Sequence, residues 1–190
     1  MIEYTILECF AQYSSVEDIF AQEDGWIMPT YTASNVALSR GSGLSGENEL
    51  TLKTSLAGGS IYKRLPEESS RVFAGMLVRR QYNAWHRIGF HDEAGLQRHI
   101  SDPQSYAAPT ISIEVATYGQ VLVYHTVHTA ESGLASNNKQ LLAEFSAIPS
   151  TCWLYADIDF TGPPEEAKVT IYVDGVSKGT VTFRACGDSS

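Results

Sequence analysis

From Thr151 to Phe160 the side chains alternate with a period of two. Cys152, Leu154, Ala156, Ile158 and Phe160 point one way, and Trp153, Tyr155, Asp157 and Asp159 the other. Such a segment is a β-strand with one face in a core, and no amphipathic helix can be written over it. After the breaker Gly162-Pro163-Pro164 the pattern resumes, with Val169, Ile171 and Val173 alternating with Lys168, Thr170 and Tyr172. Asp174-Gly175 then separates this run from Val176 and from Thr180 to Arg184. An Asp-Gly pair between alternating runs predicts a tight hairpin, because a type I′ turn needs positive φ at both central residues.

Further strands are predicted across the chain. They are Ile2 to Phe10, Ser34 to Ser39, Glu49 to Leu56, Ile61 to Leu65, Trp85 to His91, Ile111 to Ala116 and Val121 to Val127. The continuous apolar run Val72 to Val78 predicts a central strand covered on both faces. Only Ser15 to Ala21 and Lys139 to Phe145 suit helical turns, and the second suits a strand equally well. The sum is about ten to twelve short strands, which must close into a barrel or pack as two sheets. The spacing of the strands fits an all-β, two-sheet antiparallel sandwich. With no linker and no tandem repeat, residues 1–190 are expected to form one domain.

Composition narrows the function classes. Charged residues make up 18% and apolar residues 43%, which argues against disorder. A net charge of −9 disfavours a nucleic-acid partner. No apolar run approaches the ~18 residues of a membrane span. Met1 to Phe10 contains Glu3 and Glu8 and has no basic segment, so a secretion signal is not expected, and folding in the cytoplasm is. Cys9, Cys152 and Cys186 are odd in number and far apart, which suits buried thiols better than disulfides or a zinc set. Gly41-x-Gly43-x-x-Gly46 matches the dinucleotide-binding pattern, but no βαβ unit surrounds it. No cofactor and no metal are expected.

Several motifs, in order, resemble the concanavalin A-like (laminin-G-like) jelly rolls found among structural proteins of tailed bacteriophages. They begin with Glu8-Cys9-Phe10 and Tyr13, Gly25-Trp26, and Arg40-Gly41-Ser42-Gly43-Leu44 leading into Leu50-Thr51-Leu52. Ser60 to Pro66 and Arg71 to Met76 follow. Cys152 to Ile158 before Val169 to Gly175 completes the series, which spans nearly the whole chain. The chain departs from the pattern in the long segment Ser101 to Pro109, and in Leu154 standing after Trp153 where an aromatic residue is usual. The resemblance implies a concanavalin-like jelly roll in a non-enzymatic virion protein assembled in the host cytoplasm. It would be an accessory capsid (decoration or minor head) or tail-associated component, docking on repeated capsid or tail subunits. A homo-oligomer is expected, since capsid symmetry offers two-fold and three-fold sites. The fold also hosts lectins and glycosidases, so it does not by itself select the function.

Candidate residues follow from chemistry. Arg79, Arg80, Trp85, Arg87 and Arg98 lie in the one local concentration of positive charge, which holds four of the eight arginines. Arg and Trp are enriched at interface hot spots, so these five are the candidates for docking on an acidic partner patch. The alternative is a sheet edge whose charges block unwanted strand pairing. Asp92 to Pro109, the longest irregular stretch, is expected at a contact surface. A second functional reading is a glycan-binding, host-adhesion module with Trp153 and Tyr155 as platform and Asp157 beside them. A glycosidase is the least favoured. Asp157 and Asp159 share a strand face roughly 6–7 Å apart. The flanking glutamates of jelly-roll glycanases are missing, however, and a solvated polar face explains the pair. His125 and His128 point to opposite faces of a strand and cannot share a metal without a bulge. They are expected as surface or sheet-face histidines. His91 with Asp92 and Glu93 is a weak cation candidate, because adjacent residues seldom converge on one ion.

Overall fold

A computed structural model describes residues 13–21, 26–27, 36–39, 49–52, 70–79, 86–90, 110–126 and 139–185. The chain divides into two compact units, Met1–Pro66 and Glu67–Ser190.

In the first unit, helix α1 (Val16–Phe20) opens with a capping box. The Ser15 hydroxyl accepts the Asp18 N–H and the Asp18 carboxylate accepts the Ser15 N–H, so each satisfies a donor that the first turn leaves unpaired. The Ser14 hydroxyl also donates to Asp18 and, as the main cause, holds that carboxyl below its ordinary pKa. Strands β1 (Val36–Ser39) and β2 (Glu49–Leu52) pair antiparallel, with Val36 opposite Leu52.

The second unit holds the sandwich. Its strands are β3 (Arg71–Arg79), β4 (His86–Phe90), β5 (Ile111–Val115), β6 (Val121–Thr126), β7 (Lys139–Phe145), β8 (Thr151–Asp159), β9 (Ala167–Val173) and β10 (Val176–Phe183). They form two antiparallel four-stranded sheets, ordered β10-β9-β8-β3 and β4-β5-β6-β7. The inward set read from the sequence of β8 meets the inward sets of β9, β5 and β6 in one core. Leu154, Ile158, Val169, Ile171, Ile113 and Val123 are among its fully buried members. Each such aliphatic side chain contributes about 1.5–3 kcal/mol by leaving water.

The β9–β10 connection is the expected two-residue turn. Asp174 and Gly175 have φ of 49° and 79°, and Val173 pairs with Val176. Lys139–Phe145 is a strand, and Val16–Phe20 is the helix inside the predicted Ser15 to Ala21 turn. The expectation for Val72 to Val78 needs correction. Among the described residues β3 pairs only with β8 and stands at the end of its sheet, and its outer face is open, with Phe73 62% exposed. An unbroken apolar run there reflects an apolar outer face rather than a second covering layer. The reverse holds for β5, where all five residues are buried, Ser112 and Glu114 included. Cys152 is a buried free thiol in the core. Predicted strands Ile2 to Phe10 and Ile61 to Leu65, as well as Cys9 and Cys186, lie outside the described residues.

Candidate functional site

The outer face of the β10-β9-β8-β3 sheet is built by antiparallel register. Gly75, Tyr155 and Tyr172 lie in one cross-strand row, with Leu77 and Trp153 in the row to one side and Phe73 and Asp157 in the row to the other. Their rings therefore meet. Trp153 and Tyr155 have centroids 6.1 Å apart with planes 16° from parallel, and Tyr155 and Phe73 are 5.4 Å and 22° apart. Tyr172 approaches Phe73 at 6.3 Å and is tilted by 54°. Together with Asp174 and Gly175 these four side chains line a shallow depression. Phe73 and Trp153 are 62% and 45% exposed, which is unusual for large apolar groups on a sheet.

Two small features hold the rings in place. A Cβ at position 75 would lie 2.3 Å from Cδ1 of Tyr155, so Gly75 vacates the space this ring occupies across β3. At the turn, Asp174 accepts the Trp153 N–H through Oδ1 at 2.8 Å, and its own N–H donates to the Trp153 carbonyl at 2.9 Å. The hairpin turn thus clamps the backbone of the strand that carries the indole.

Asp157 points to this outer face, as its place in the alternation requires, yet it is buried rather than solvated. Both its oxygens accept from Arg71, at 2.9 Å from Nε and 2.6 Å from Nη2. This bidentate pairing raises the pKa of the guanidinium further. Asp159 accepts from the hydroxyl and the N–H of Thr161 at 2.6 and 2.9 Å, and the hydroxyl chiefly lowers its carboxyl pKa. Both oxygens of Asp157 and Oδ1 of Asp159 thus accept from neighbours within the chain.

Trp153 and Tyr155 are brought together as the sequence placed them, and Asp157 stands beside them locked to Arg71. Phe73, Tyr172, Gly75 and Arg71 were missed by sequence reasoning. A period-two reading of Arg71 to Leu77 would have put Arg71, Phe73 and Gly75 on one face. Tyr172 was visible as an outward residue of β9 but was assigned no role.

Of the five basic and aromatic interface candidates, Arg79 and Arg87 fall among the described residues. Arg79 is exposed at the end of β3. Arg87, on β4 of the other sheet, forms an ion pair at 2.9 Å with the buried Glu114. Arg80, Trp85 and Arg98 lie outside the described residues, as do His91, His128 and Asp92 to Pro109. His125 is not a surface residue. It is buried, with its ring 5.4 Å from that of Phe183. Among the described residues no three His, Cys, Asp or Glu side chains converge as metal ligands, and no helix is long and apolar enough to cross a membrane. Comparison with family models, with curated proteins and with solved structures gave no match.

Proposed function

We propose that this chain is a non-enzymatic structural component of a phage particle, an accessory capsid or tail-associated protein, and that the aromatic outer face of its β10-β9-β8-β3 sheet is a contact surface. The observation that carries the contact surface is the row of three near-parallel rings, two of them largely exposed, on a rigid sheet. Aromatic side chains supply large contact area at little conformational cost, and burying them is what a binding face offers. The particle assignment is supported by the order of motifs running from Glu8 to Gly175, and by an antiparallel sandwich of the kind those motifs imply. A concanavalin-like jelly-roll strand order belongs to this same proposal. A binding role also suits strand carboxylates already occupied by Arg71 and Thr161.

The mechanism is adhesion by shape. Symmetric copies on one particle convert a modest contact per copy into firm attachment, because each bound copy raises the effective concentration of the next. Quantifying the chain in purified assembled particles tests the assignment. A fixed copy number per particle is expected, and its absence from particles refutes it. Particles carrying Phe73→Ser with Trp153→Ser are expected to adsorb to host cells about tenfold less than wild type. Unchanged adsorption removes the aromatic face as the contact surface.

A further inference from the structure

We infer that the occupant of this aromatic face is a second copy of the same chain. The two sheets stack face to face about a two-fold axis that runs along the strands between β8 and β9. This rests on the reading of the face as a contact surface and names its partner. Three observations select a second copy.

The first is the order of charge across the sheet. Arg71, Asp159 and Lys168 lie in one cross-strand row on β3, β8 and β9, so the row reads positive, negative, positive. A two-fold axis between β8 and β9 turns this row onto itself in reverse. Asp159 of each copy then faces Lys168 of the other. The four charges alternate, because Asp159 and Lys168 are already cross-strand neighbours within each copy. Facing like charges are costly, so the row accepts its own image where a uniformly charged surface would be rejected. The same axis sets Tyr155 opposite Tyr172, and Trp153 opposite Asp174, whose carboxylate is an acceptor for the indole N–H.

The second is how little the face loses when water leaves it. The rings of Trp153, Tyr155 and Phe73 stack on one another, so they offer edges and flanks in a low apolar relief on which another sheet can lie. Beside them the hydroxyls of Thr170 and Thr180 hydrogen-bond each other at 2.9 Å. Both oxygens of Asp157 accept from Arg71. These groups keep their partners when covered, which spares the penalty of burying an unpaired polar group.

The third is area. Four strands at a spacing of ~4.8 Å, and the seven residues of β9 at ~3.4 Å each, outline a face of roughly 19 by 24 Å. Two such faces bury about 900 Å² of flat area, at the low end of specific interfaces. A second copy has the same outline and covers all of it. The expected dimer is weak, with a dissociation constant on the order of 100 µM, which suits copies held close together rather than a permanent pair in dilute solution.

The test is analytical ultracentrifugation of the purified full chain from about 10 µM to about 1 mM. A reversible monomer–dimer equilibrium is expected. Phe73→Ser with Trp153→Ser, Lys168→Glu alone and Asp159→Lys alone are each expected to weaken it at least tenfold, with cooperative thermal unfolding as the control for folding. Mixing the Lys168→Glu and Asp159→Lys chains is expected to restore dimers containing one copy of each, because each altered row then meets opposite charge. Dimers that persist in all three variants, or charge variants that fail to associate on mixing, overturn the face-to-face pairing. A wild-type chain that stays monomeric at about 1 mM overturns the inference. If cell adsorption still depends on Phe73 and Trp153 in that case, the face takes an unlike partner and the contact-surface reading stands. If it does not, that reading falls as well.

Discussion

Gly75→Ala is a test of how the platform is seated. Position 75 has ordinary extended backbone, since it is not among the residues with positive φ, so alanine meets no conformational barrier there. Replacing glycine at a compatible site stabilises by about 0.4–1 kcal/mol through the unfolded chain. The opposing term is steric. The new Cβ falls 2.3 and 2.8 Å from Cδ1 and Cε1 of Tyr155 and 3.2 Å from the Leu154 carbonyl oxygen. Carbon atoms at such distances overlap, and overpacking of this kind costs about 1–3 kcal/mol. The steric effect wins, and a net loss of roughly 0.5–2 kcal/mol is expected. In a Tyr155→Ala background the two closest contacts vanish and only the tight Leu154 oxygen remains. The same Gly75→Ala change should there be neutral within a few tenths of a kcal/mol, or stabilising. The coupling between the two positions is thus about 1–2 kcal/mol, well above what additive sites show. Urea unfolding of the four proteins of the cycle measures it as differences in midpoint at constant slope. Equal destabilisation in both backgrounds would refute the reasoning, because the penalty would then not come from the Tyr155 ring.

Two further predictions concern the polar frame of the same face. Asp174→Ala removes both the acceptor for the Trp153 N–H and a residue that tolerates φ of 49°, and is expected to cost roughly 1–2 kcal/mol, whereas Asp174→Asn keeps both properties and should stay within about 0.5 kcal/mol; thermal unfolding separates them by several degrees, and equal losses for the two would refute the clamp. The Asp159 carboxyl is held below its ordinary pKa chiefly by the Thr161 hydroxyl, so its stabilising contribution is present above the unfolded value near pH 4 and is lost as pH falls through the lower folded value. Thr161→Val should raise the Asp159 titration midpoint seen by carboxyl NMR and reduce the acid-dependent part of the stability; an unmoved midpoint would show that the hydroxyl is not the cause.

The sequence was most informative where side chains have one clear place to go. The β8 and β9 alternation survives because Leu154, Ile158, Val169 and Ile171 can leave water only on the inner face. The Asp174-Gly175 turn is legible because the demand for positive φ is local and few residues meet it. Legibility failed where the outer face departs from being polar. On β3, Phe73, Gly75 and Leu77 share the apolar character of the inner positions, so the alternation that marks an open face is absent from the residue types. On β5, Glu114 marks an outer position, but its near-complete burial depends on Arg87 and Lys139, 27 and 25 residues away. The Arg71–Asp157 pair joins residues 86 apart and becomes visible only once β3 and β8 are in register.

The two outer faces of the sandwich differ in a way that bears on how adhesion would work. On the β4-β5-β6-β7 sheet the polar groups close on one another. Glu114 is held by Arg87 at 2.9 Å and Lys139 at 2.6 Å and accepts from Ser112, and Lys139 sits 3.8 Å over the Tyr124 ring. Burial, followed by the nearby Glu114, pushes the Tyr124 hydroxyl pKa up. A partner docking there would have to compete with satisfied charges. On the β10-β9-β8-β3 sheet the exposed area of Phe73 and Trp153 is still in contact with water. Covering it would yield on the order of 1–2 kcal/mol per ring. Association itself costs at least ~4 kcal/mol in lost freedom of motion. One copy of such a face can therefore hold its target only weakly, and firm attachment requires several copies acting together on one body. The aromatic face therefore gains most from display in multiple copies, as the proposed role supposes. The isolated chain should accordingly bind its target far more weakly than many copies of it displayed on one bead, and equal apparent affinity of the two would refute this.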